Sequence, residues 1–161
     1  MKTLVLLRHA KSSWDDSSIR DFERPLADRG IKDAPRIGKT LEKRELNPDL
    51  IVCSTAVRAR QTADAVKKAA HYDCDMKLEE RIYGASSAEL MKVVRVLPDT
   101  ASTVVLVGHN PGFEDLLGRL TDRRDHMPTC AVACIHLPVE TWSDVEDAQG
   151  KLEWMLTPKQ L

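Results

Sequence analysis

The sequence predicts a three-layer α/β/α fold, built on a mostly parallel sheet of about six strands with an antiparallel edge. Three observations lead to this prediction. Short, continuous apolar runs recur along the chain, and such runs are typical of strands buried on both faces of a sheet. Helical stretches separate the runs, as crossovers between parallel strands require. The chain has 161 residues, 42% hydrophobic and 30% charged, which is typical of one globular domain spanning residues 1–161.

Three apolar runs are expected to form the central parallel strands, and they cover residues 4–7, 50–53 and 103–107. Each run is short, rich in leucine or β-branched residues and bounded by polar residues, as buried strands are. A weaker strand is expected at residues 75–78. Residues 129–137 and 152–156 are predicted as two further strands, joined at an edge of the sheet by the acidic loop through residues 143–147.

Helices are expected between these strands, and they cover residues 28–45, 56–70, 87–97 and 111–120. Asn47-Pro48 closes the first helix and Pro98 closes the third, because proline does not continue a helix. Pro111 suits the first turn of the fourth helix, where its missing N–H removes no intrahelical hydrogen bond. The alternation of strand and helix therefore extends from the first strand to the fourth helix.

Composition and charge argue against several classes of function. The chain has 24 Lys and Arg residues against 25 Asp and Glu residues, so it has no overall basic excess for binding a nucleic acid. Its three tryptophans are scattered among acidic residues and form no stacking surface for bases. The first apolar run stops at Arg8-His9, which is too short for a signal peptide or a membrane span. The four cysteines form no CxxC pair, which favours reduced thiols in a soluble cytoplasmic protein without a metal.

Basic and imidazole side chains follow three of the expected strands. Arg8 and His9 come directly after the first strand, Arg58 lies in the first turn of the helix that follows the second, and His109 follows residues 103–107. Ligands of such folds bind at the carboxyl ends of the strands, so we expect these side chains to lie together. Two guanidinium groups, two imidazoles and two helix N-termini suit a phosphate dianion.

Each of these residues also has a purely structural interpretation. A single histidine at a strand end is more often a hydrogen-bonded structural residue than a catalyst, whereas two together favour a site. Arg58 and Arg60 would ordinarily be solvated surface charges, and only Arg58 lies where an anion would bind. Arg60 therefore stays outside the expected site, as do Lys11 and Ser12 on the loop after the first strand.

Four motifs carry a family resemblance. In chain order they are Leu7-Arg8-His9-Ala10, then Arg24-Pro25-Leu26 followed by Gly30, then the block Ser54-Thr55-Ala56-Val57-Arg58-Ala59-Arg60-Gln61-Thr62, and last Val107-Gly108-His109-Asn110. This set resembles the histidine phosphatase superfamily, the phosphoglycerate mutase-like enzymes, over residues 4 to about 120. The chain length, the Arg24-Pro25-Leu26 segment and the sequence Trp154-Met155-Leu156 most resemble the SixA-type phosphohistidine phosphatases.

The resemblance implies a phosphatase that needs neither a metal nor a cofactor. His9 would attack phosphorus in line, because a neutral imidazole is nucleophilic, and water would hydrolyse the phosphohistidine so formed. Arg8, Arg58 and His109 would hold the equatorial oxygens through charge-assisted hydrogen bonds. Arg24 is expected to join this phosphate-binding set.

Two positions depart from the pattern or leave alternatives open. Glu80 matches the glutamate that protonates a leaving alkoxide in mutase-type enzymes. A structural or solvated role is equally open, because imidazole is a good leaving group and needs less help. Ala10 stands where most of the superfamily has glycine, and its methyl group is expected to reshape the site slightly, since alanine disfavours positive φ.

Three functions remain in competition. The preferred hypothesis is a phosphohistidine protein phosphatase that acts on a signalling protein, such as a histidine-containing phosphotransfer domain. The alternatives are a small-molecule phosphomonoesterase with the same chemistry and a non-catalytic module that binds phosphoproteins, although a module would not need the nucleophile. Mutase activity is disfavoured because residues 85–107 leave little chain for a lid, and an open pocket admits a protein side chain. Neither a nucleic acid nor a membrane is expected as a partner.

Overall fold

The computed structural model describes all 161 residues and contains six strands and four α-helices. The strands are β1 (Lys2–Arg8), β2 (Leu50–Cys53), β3 (Asp75–Leu78), β4 (Thr103–Gly108), β5 (Val132–Leu137) and β6 (Lys151–Leu156). The helices are α1 (Asp28–Lys43), α2 (Val57–Ala69), α3 (Ser87–Arg95) and α4 (Gly112–Thr121). Short 3-10 helices cover Asp21–Glu23, Glu80–Ile82, Trp142–Asp144 and Pro158–Gln160. No helix is both long and apolar enough to cross a membrane.

The strands form one sheet in the order β3-β2-β4-β1-β5-β6. The first four strands in this order are parallel, whereas β5 and β6 are antiparallel to their neighbours. Arg8 pairs with Gly108 and Cys53 pairs with Val107, so β1, β2 and β4 end at the same edge. The expected mostly parallel sheet with an antiparallel edge is confirmed.

Helices cover both faces of the sheet, and β1 shows how. Leu4 and Leu6 contribute to the core that α3 and α4 complete, whereas Val5 and Leu7 contribute to the core that α1 and α2 complete. All four side chains are at most 1% exposed. Burial of each one stabilises the fold by roughly 1.5–3 kcal/mol, which explains why the central strands are apolar without alternation.

Most element boundaries differ from the prediction by one to three residues, and two of these differences follow from backbone conformation. The first helix ends at Lys43 and not at residue 45, because Glu45 adopts a left-handed conformation with φ of 58°. The strand expected at residues 129–137 begins only at Val132. Cys130 has a φ of 63°, and its amide donates to the carbonyl groups of both Arg8 and His9. The turn at Cys130 is therefore hydrogen-bonded to the end of β1 and lies outside β5.

Helix α1 packs directly on the loop that follows β1. A Cβ atom at Gly30 would collide with the Lys11 carbonyl oxygen, so only glycine allows this approach. The same oxygen accepts a hydrogen bond of 2.8 Å from the Ala27 amide. The start of α1 therefore holds the loop just beyond His9.

Candidate active site

Backbone hydrogen bonds tie together the loops at the carboxyl ends of the parallel strands. The amide of His9, after β1, donates to the Gly108 carbonyl at 3.0 Å, and the amide of Ser54, after β2, donates to the Val107 carbonyl at 2.9 Å. The sheet thus fixes the spacing of the side chains that follow β1, β2 and β4. His9 and His109 meet at this edge, as expected from their positions after the strands.

His9 is buried and holds its ring proton on one defined nitrogen. It is 7% exposed, and its Nδ1 lies 2.8 Å from the Ala10 carbonyl oxygen. A carbonyl oxygen only accepts, so Nδ1 carries the proton and Nε2 keeps its lone pair. Burial, reinforced by nearby guanidinium groups such as those of Arg58 and Arg8, lowers the pKa of His9 to about 4. His9 is therefore a neutral imidazole at pH 7.

Ala10 fits beside His9 without backbone strain. Its φ is not positive, so the methyl group does not carry the penalty that a left-handed alanine would. The Ala10 amide donates to the Thr62 hydroxyl at 2.9 Å, and that hydroxyl donates to the Arg58 carbonyl at 2.7 Å. Helix α2 thus anchors the residue whose carbonyl orients His9.

His109 is a second neutral imidazole, held by Ser54. The Ser54 hydroxyl accepts from the Ala56 amide at 3.3 Å and lies 2.7 Å from His109 Nε2. His109 Nδ1 is buried and has no hydrogen-bond partner in the protein. A His109 ring that accepts the Ser54 proton at Nε2 carries its own proton on Nδ1. Burial, followed by the neighbouring His9 and Arg58, lowers the pKa of His109 to about 3. The two imidazole centroids are 5.1 Å apart.

Three arginines surround this histidine pair. Arg24 and Arg58 are each 7% exposed. Arg8 donates through Nη1 to the Met127 carbonyl at 3.0 Å, while its Nε is buried without a partner. Burial lowers the pKa of Arg8, although a guanidinium group stays charged at neutral pH. Arg24 donates to the Ser12 hydroxyl, so Ser12, left outside the expected site, orients one of its arginines.

Asp21 is a site residue that sequence reasoning missed. Its Oδ2 accepts from Arg58 Nη2 at 3.0 Å and from the Tyr83 hydroxyl at 2.7 Å, and its Oδ1 accepts from Arg24 Nη1 at 2.9 Å. Partial burial raises the pKa of Asp21, but these three hydrogen bonds outweigh it and hold the pKa at about 2. Asp21 precedes Arg24 by three residues in a segment with several other acids, and only this spacing on a short helical turn could have singled it out.

The sequence match agrees with this geometry. Residues 4–116 match the model of the histidine phosphatase superfamily, branch 1, and all of the histidines and arginines described above lie within that range. The chain belongs to this superfamily. It is therefore a histidine phosphatase superfamily hydrolase, as its motifs indicated.

Relatives that match almost the whole chain occur in a plant and in a mycobacterium. An uncharacterised chloroplastic protein of Arabidopsis thaliana is 30% identical over 96% of this chain and 75% of its own length. An uncharacterised protein of Mycobacterium tuberculosis is 33% identical over 95% of this chain and all of its own length. The superfamily resemblance thus extends beyond residue 116.

Solved structures confirm the fold class and the SixA-type resemblance. A candidate phosphohistidine phosphatase SixA from Agrobacterium tumefaciens has 29% identity and a TM-score of 0.85, covering 98% of both chains. Its counterpart from Nakamurella has 28% identity and a TM-score of 0.86, covering 98% of this chain and 96% of that one. The protein histidine phosphatase SixA complexed with tungstate shares the fold, with 19% identity and a TM-score of 0.79.

Glu80, which matches the superfamily's proton donor, is exposed on the 3-10 helix Glu80–Ile82, and its side chain makes no hydrogen bond or ion pair. Tyr83, three residues later, lies at the site, because its ring is edge-on to His109 at a centroid distance of 5.6 Å and its hydroxyl donates to Asp21. The segment after β3 therefore brings a phenol to the site, and the role of Glu80 as proton donor stays a prediction.

A shallow cavity adjoins the site at His109, and no group of metal-binding side chains accompanies it. A cavity of about 300 Å³ lies beside His109 and is lined by residues such as Ser86 and Asn110. A larger one, of about 540 Å³, lies between Arg36 and Lys159, away from the histidine pair. No three His, Cys, Asp or Glu side chains are grouped closely enough to hold a metal ion.

Proposed function

We propose that residues 1–161 form one catalytic domain, a phosphohistidine protein phosphatase in which His9 carries the phosphoryl group from the substrate to water. The observation that supports this most is the state of His9. It is neutral, its Nδ1 donates to the Ala10 carbonyl, and its Nε2 is left free beside the arginines. A nucleophile in this state needs no general base.

In the first step, the Nε2 lone pair of His9 attacks phosphorus in line as the bond from phosphorus to the leaving group breaks. The His9 ring becomes positively charged, and the hydrogen bond from Nδ1 to the Ala10 carbonyl stabilises that charge. Arg8, Arg58 and the Nδ1–H of His109 hold the equatorial oxygens, on which charge accumulates in the transition state. Arg24, which donates to the Asp21 carboxylate as Arg58 does, adds a third guanidinium group to the site.

In the second step, water attacks the phosphoryl group on His9, and the neutral imidazole leaves. Glu80 is not needed in this cycle, because the imidazole retains its Nδ1 proton and departs uncharged. Three guanidinium groups replace a metal ion in neutralising the phosphoryl oxygens. The proposed reaction therefore needs no metal or cofactor.

The substrate we propose is a phosphorylated histidine on a signalling protein. Support comes from the Asp21 side chain, which is 49% exposed beside Arg58, so that a side chain on a protein surface has access to the site. Further support comes from the two structures of 28–29% identity, both of which are candidate phosphohistidine phosphatases. The four cysteines are free thiols, which supports a cytoplasmic location.

The test compares turnover of a phosphohistidine-carrying phosphotransfer domain with turnover of a panel of phosphorylated metabolites, using the same preparation. We expect kcat/KM to be highest for the phosphoprotein. A metabolite hydrolysed faster would make the chain a small-molecule phosphomonoesterase, and tight binding without hydrolysis would make it a phosphoprotein-binding module. The variant His71→Asn, on an exposed histidine outside the site, serves as a control for His9→Asn, which we expect to be inactive.

A further inference from the structure

We propose that Asp21 selects the leaving group, because its carboxylate accepts the N–H of the departing imidazole and so favours cleavage of a P–N bond over a P–O bond. This inference rests on the proposed function. It identifies the residue by which the same site would distinguish phosphohistidine from a phosphoester.

Asp21 is held firmly by the donors of the phosphate site. Both carboxylate oxygens are used, one by Arg24 and the other by Arg58 and Tyr83, at 2.7–3.0 Å. Arg58 also donates through Nη1 to the Asp21 backbone carbonyl at 2.7 Å. A residue fixed by three hydrogen bonds to its carboxylate and a fourth to its backbone carbonyl is part of the site and not a loose surface charge.

The position of Asp21 is the one from which a leaving group departs. His9 and Arg58 are each 7% exposed, whereas the Asp21 side chain is 49% exposed. In-line transfer places the leaving group opposite the nucleophile, and therefore on the side that is open to solvent. Asp21 borders that side together with Tyr83, whose ring lies against His109.

The charge of the site also requires Asp21. The three guanidinium groups and the ionised Asp21 leave a net charge of +2, which balances a dianionic phosphoryl group. The carboxylate therefore does not prevent phosphate binding. It adds a negative charge that acts on the leaving group attached to phosphorus.

A phosphohistidine ring matches this carboxylate and a phosphoester does not. The second nitrogen of the substrate ring carries a proton when the ring is in its imidazolium form, and Asp21 favours that form by accepting a hydrogen bond from it. As Nε2 of His9 bonds to phosphorus, the electron pair of the P–N bond stays on the substrate nitrogen, and a neutral imidazole leaves with its other proton in place. A departing alkoxide has no N–H to donate and is negatively charged, so Asp21 repels it.

Two peptides of one sequence, carrying phosphohistidine or phosphoserine at the same position, provide the test. Asp21→Asn keeps the size of the side chain and removes its charge. We expect its kcat/KM for the phosphohistidine peptide to fall by a factor at least about tenfold larger than that for the phosphoserine peptide, the difference typical of one charge-assisted hydrogen bond. Asp16→Asn, an exposed acid on the same loop, is the matched control and should leave both values unchanged.

The two substrates separate selection from a merely structural role. If Asp21 only held Arg58 in place, the asparagine variant would lose activity on both peptides by the same factor, and that result would overturn the proposal. An undiminished rate on the phosphohistidine peptide would overturn it too. Asp21→Glu keeps the charge and should keep the preference for phosphohistidine even if both rates fall. A wild-type protein that cleaves only the phosphoserine peptide would show that the proposed function itself is wrong.

Discussion

The reactivity of His9 depends on its immediate neighbours. The Ala10 carbonyl fixes the ring proton on Nδ1, and burial next to guanidinium groups keeps the ring uncharged. The Ser54 hydroxyl contacts Nε2 of His109, and burial keeps that ring uncharged too. Both imidazoles are therefore held in the protonation state that nucleophilic attack and hydrogen-bond donation require, and both make folding dependent on pH.

We expect the free energy of unfolding to fall as the pH is lowered from about 7 to about 5. The pKa of His9 is about 4 in the folded protein and near 6.5 in the unfolded chain, so the unfolded chain binds the proton first. The stability that neutral His9 contributes is complete above pH 6.5 and is lost progressively down to about pH 4. For His9 alone the loss between pH 7 and 5 is about 2 kcal/mol.

Urea unfolding of the wild type and of His9→Asn at several pH values measures this contribution, because the titration of groups that do not interact with His9 cancels in the difference. The difference in unfolding free energy between the two proteins should change by about 2 kcal/mol over that range, in the direction that favours the variant at low pH. A difference independent of pH would mean that His9 is not held neutral by the fold.

Arg58→Ala should lower kcat/KM by at least about 30-fold, which corresponds to the ~2 kcal/mol or more of one charged donor to the transition state. Arg58→Lys should recover only part of this loss, because an ammonium group does not bind two oxygens in the guanidinium geometry. Arg60→Ala, on the exposed face of the same helix, is the control and should change neither kcat nor KM. Equal losses at both positions would show that Arg58 acts through general electrostatics.

At the level of elements, the site depends on how closely α1 approaches the loop after β1. Gly30 makes that approach possible, and Leu26 adds a backbone amide that donates to Gln61 of α2 at 2.8 Å. The segment that carries Asp21 and Arg24 is thus held in place by contacts with α1 and α2. Movement of α1 would displace the loop and its hydrogen bonds to the guanidinium groups.

Gly30→Ala should therefore destabilise the protein by roughly 1–3 kcal/mol, the usual cost of overpacking, and lower kcat as well. Gly118→Ala in α4 is the matched control, since an added Cβ there meets the Arg124 side chain at an ordinary 3.5 Å. Alanine favours a helix over glycine by up to ~1 kcal/mol, so the control should be neutral or stabilising. Chemical denaturation and steady-state kinetics on both variants would check the two effects, and equal stabilities would contradict the packing argument.

At the level of the whole molecule, the sheet brings together residues that are far apart in the sequence. His9, Ser54 and His109 could be predicted as neighbours because each follows a recognisable buried strand and parallel strands end at one edge. The alternation of strands and helices could likewise be predicted from the sequence. The C-terminal edge was harder to place, because the turn at Cys130 depends on carbonyl groups of β1 that no local pattern reveals.

Asp21 and Tyr83 could not be predicted for a related reason. Asp21 lies on one 3-10 turn, and Tyr83 directly follows another. Their side chains meet only because the loop after β1 packs against the segment after β3. Glu80 occupies the motif position, yet it is Tyr83 whose side chain reaches Asp21. Motifs indicate which segments approach the site, whereas tertiary packing decides which side chain of a segment enters it.

Activity of the whole protein should persist in excess chelator, since in the proposed mechanism guanidinium groups and not a metal neutralise the phosphoryl oxygens. Dialysis against EDTA followed by an assay with and without added Mg²⁺ measures this. Equal rates in the two assays are expected. Activity that is lost to the chelator and restored by Mg²⁺ would contradict the role given to Arg8, Arg24 and Arg58.

The most direct measurement is the site of the covalent intermediate. The protein is mixed with a phosphohistidine substrate, quenched in alkali within one turnover and digested, and the phosphorylated peptide is identified by mass spectrometry. We expect an acid-labile phosphate on His9 in the wild type, and none in His9→Asn. A phosphate found on His109 or on any other residue, or turnover without any trapped phosphoenzyme, would contradict His9 as the nucleophile.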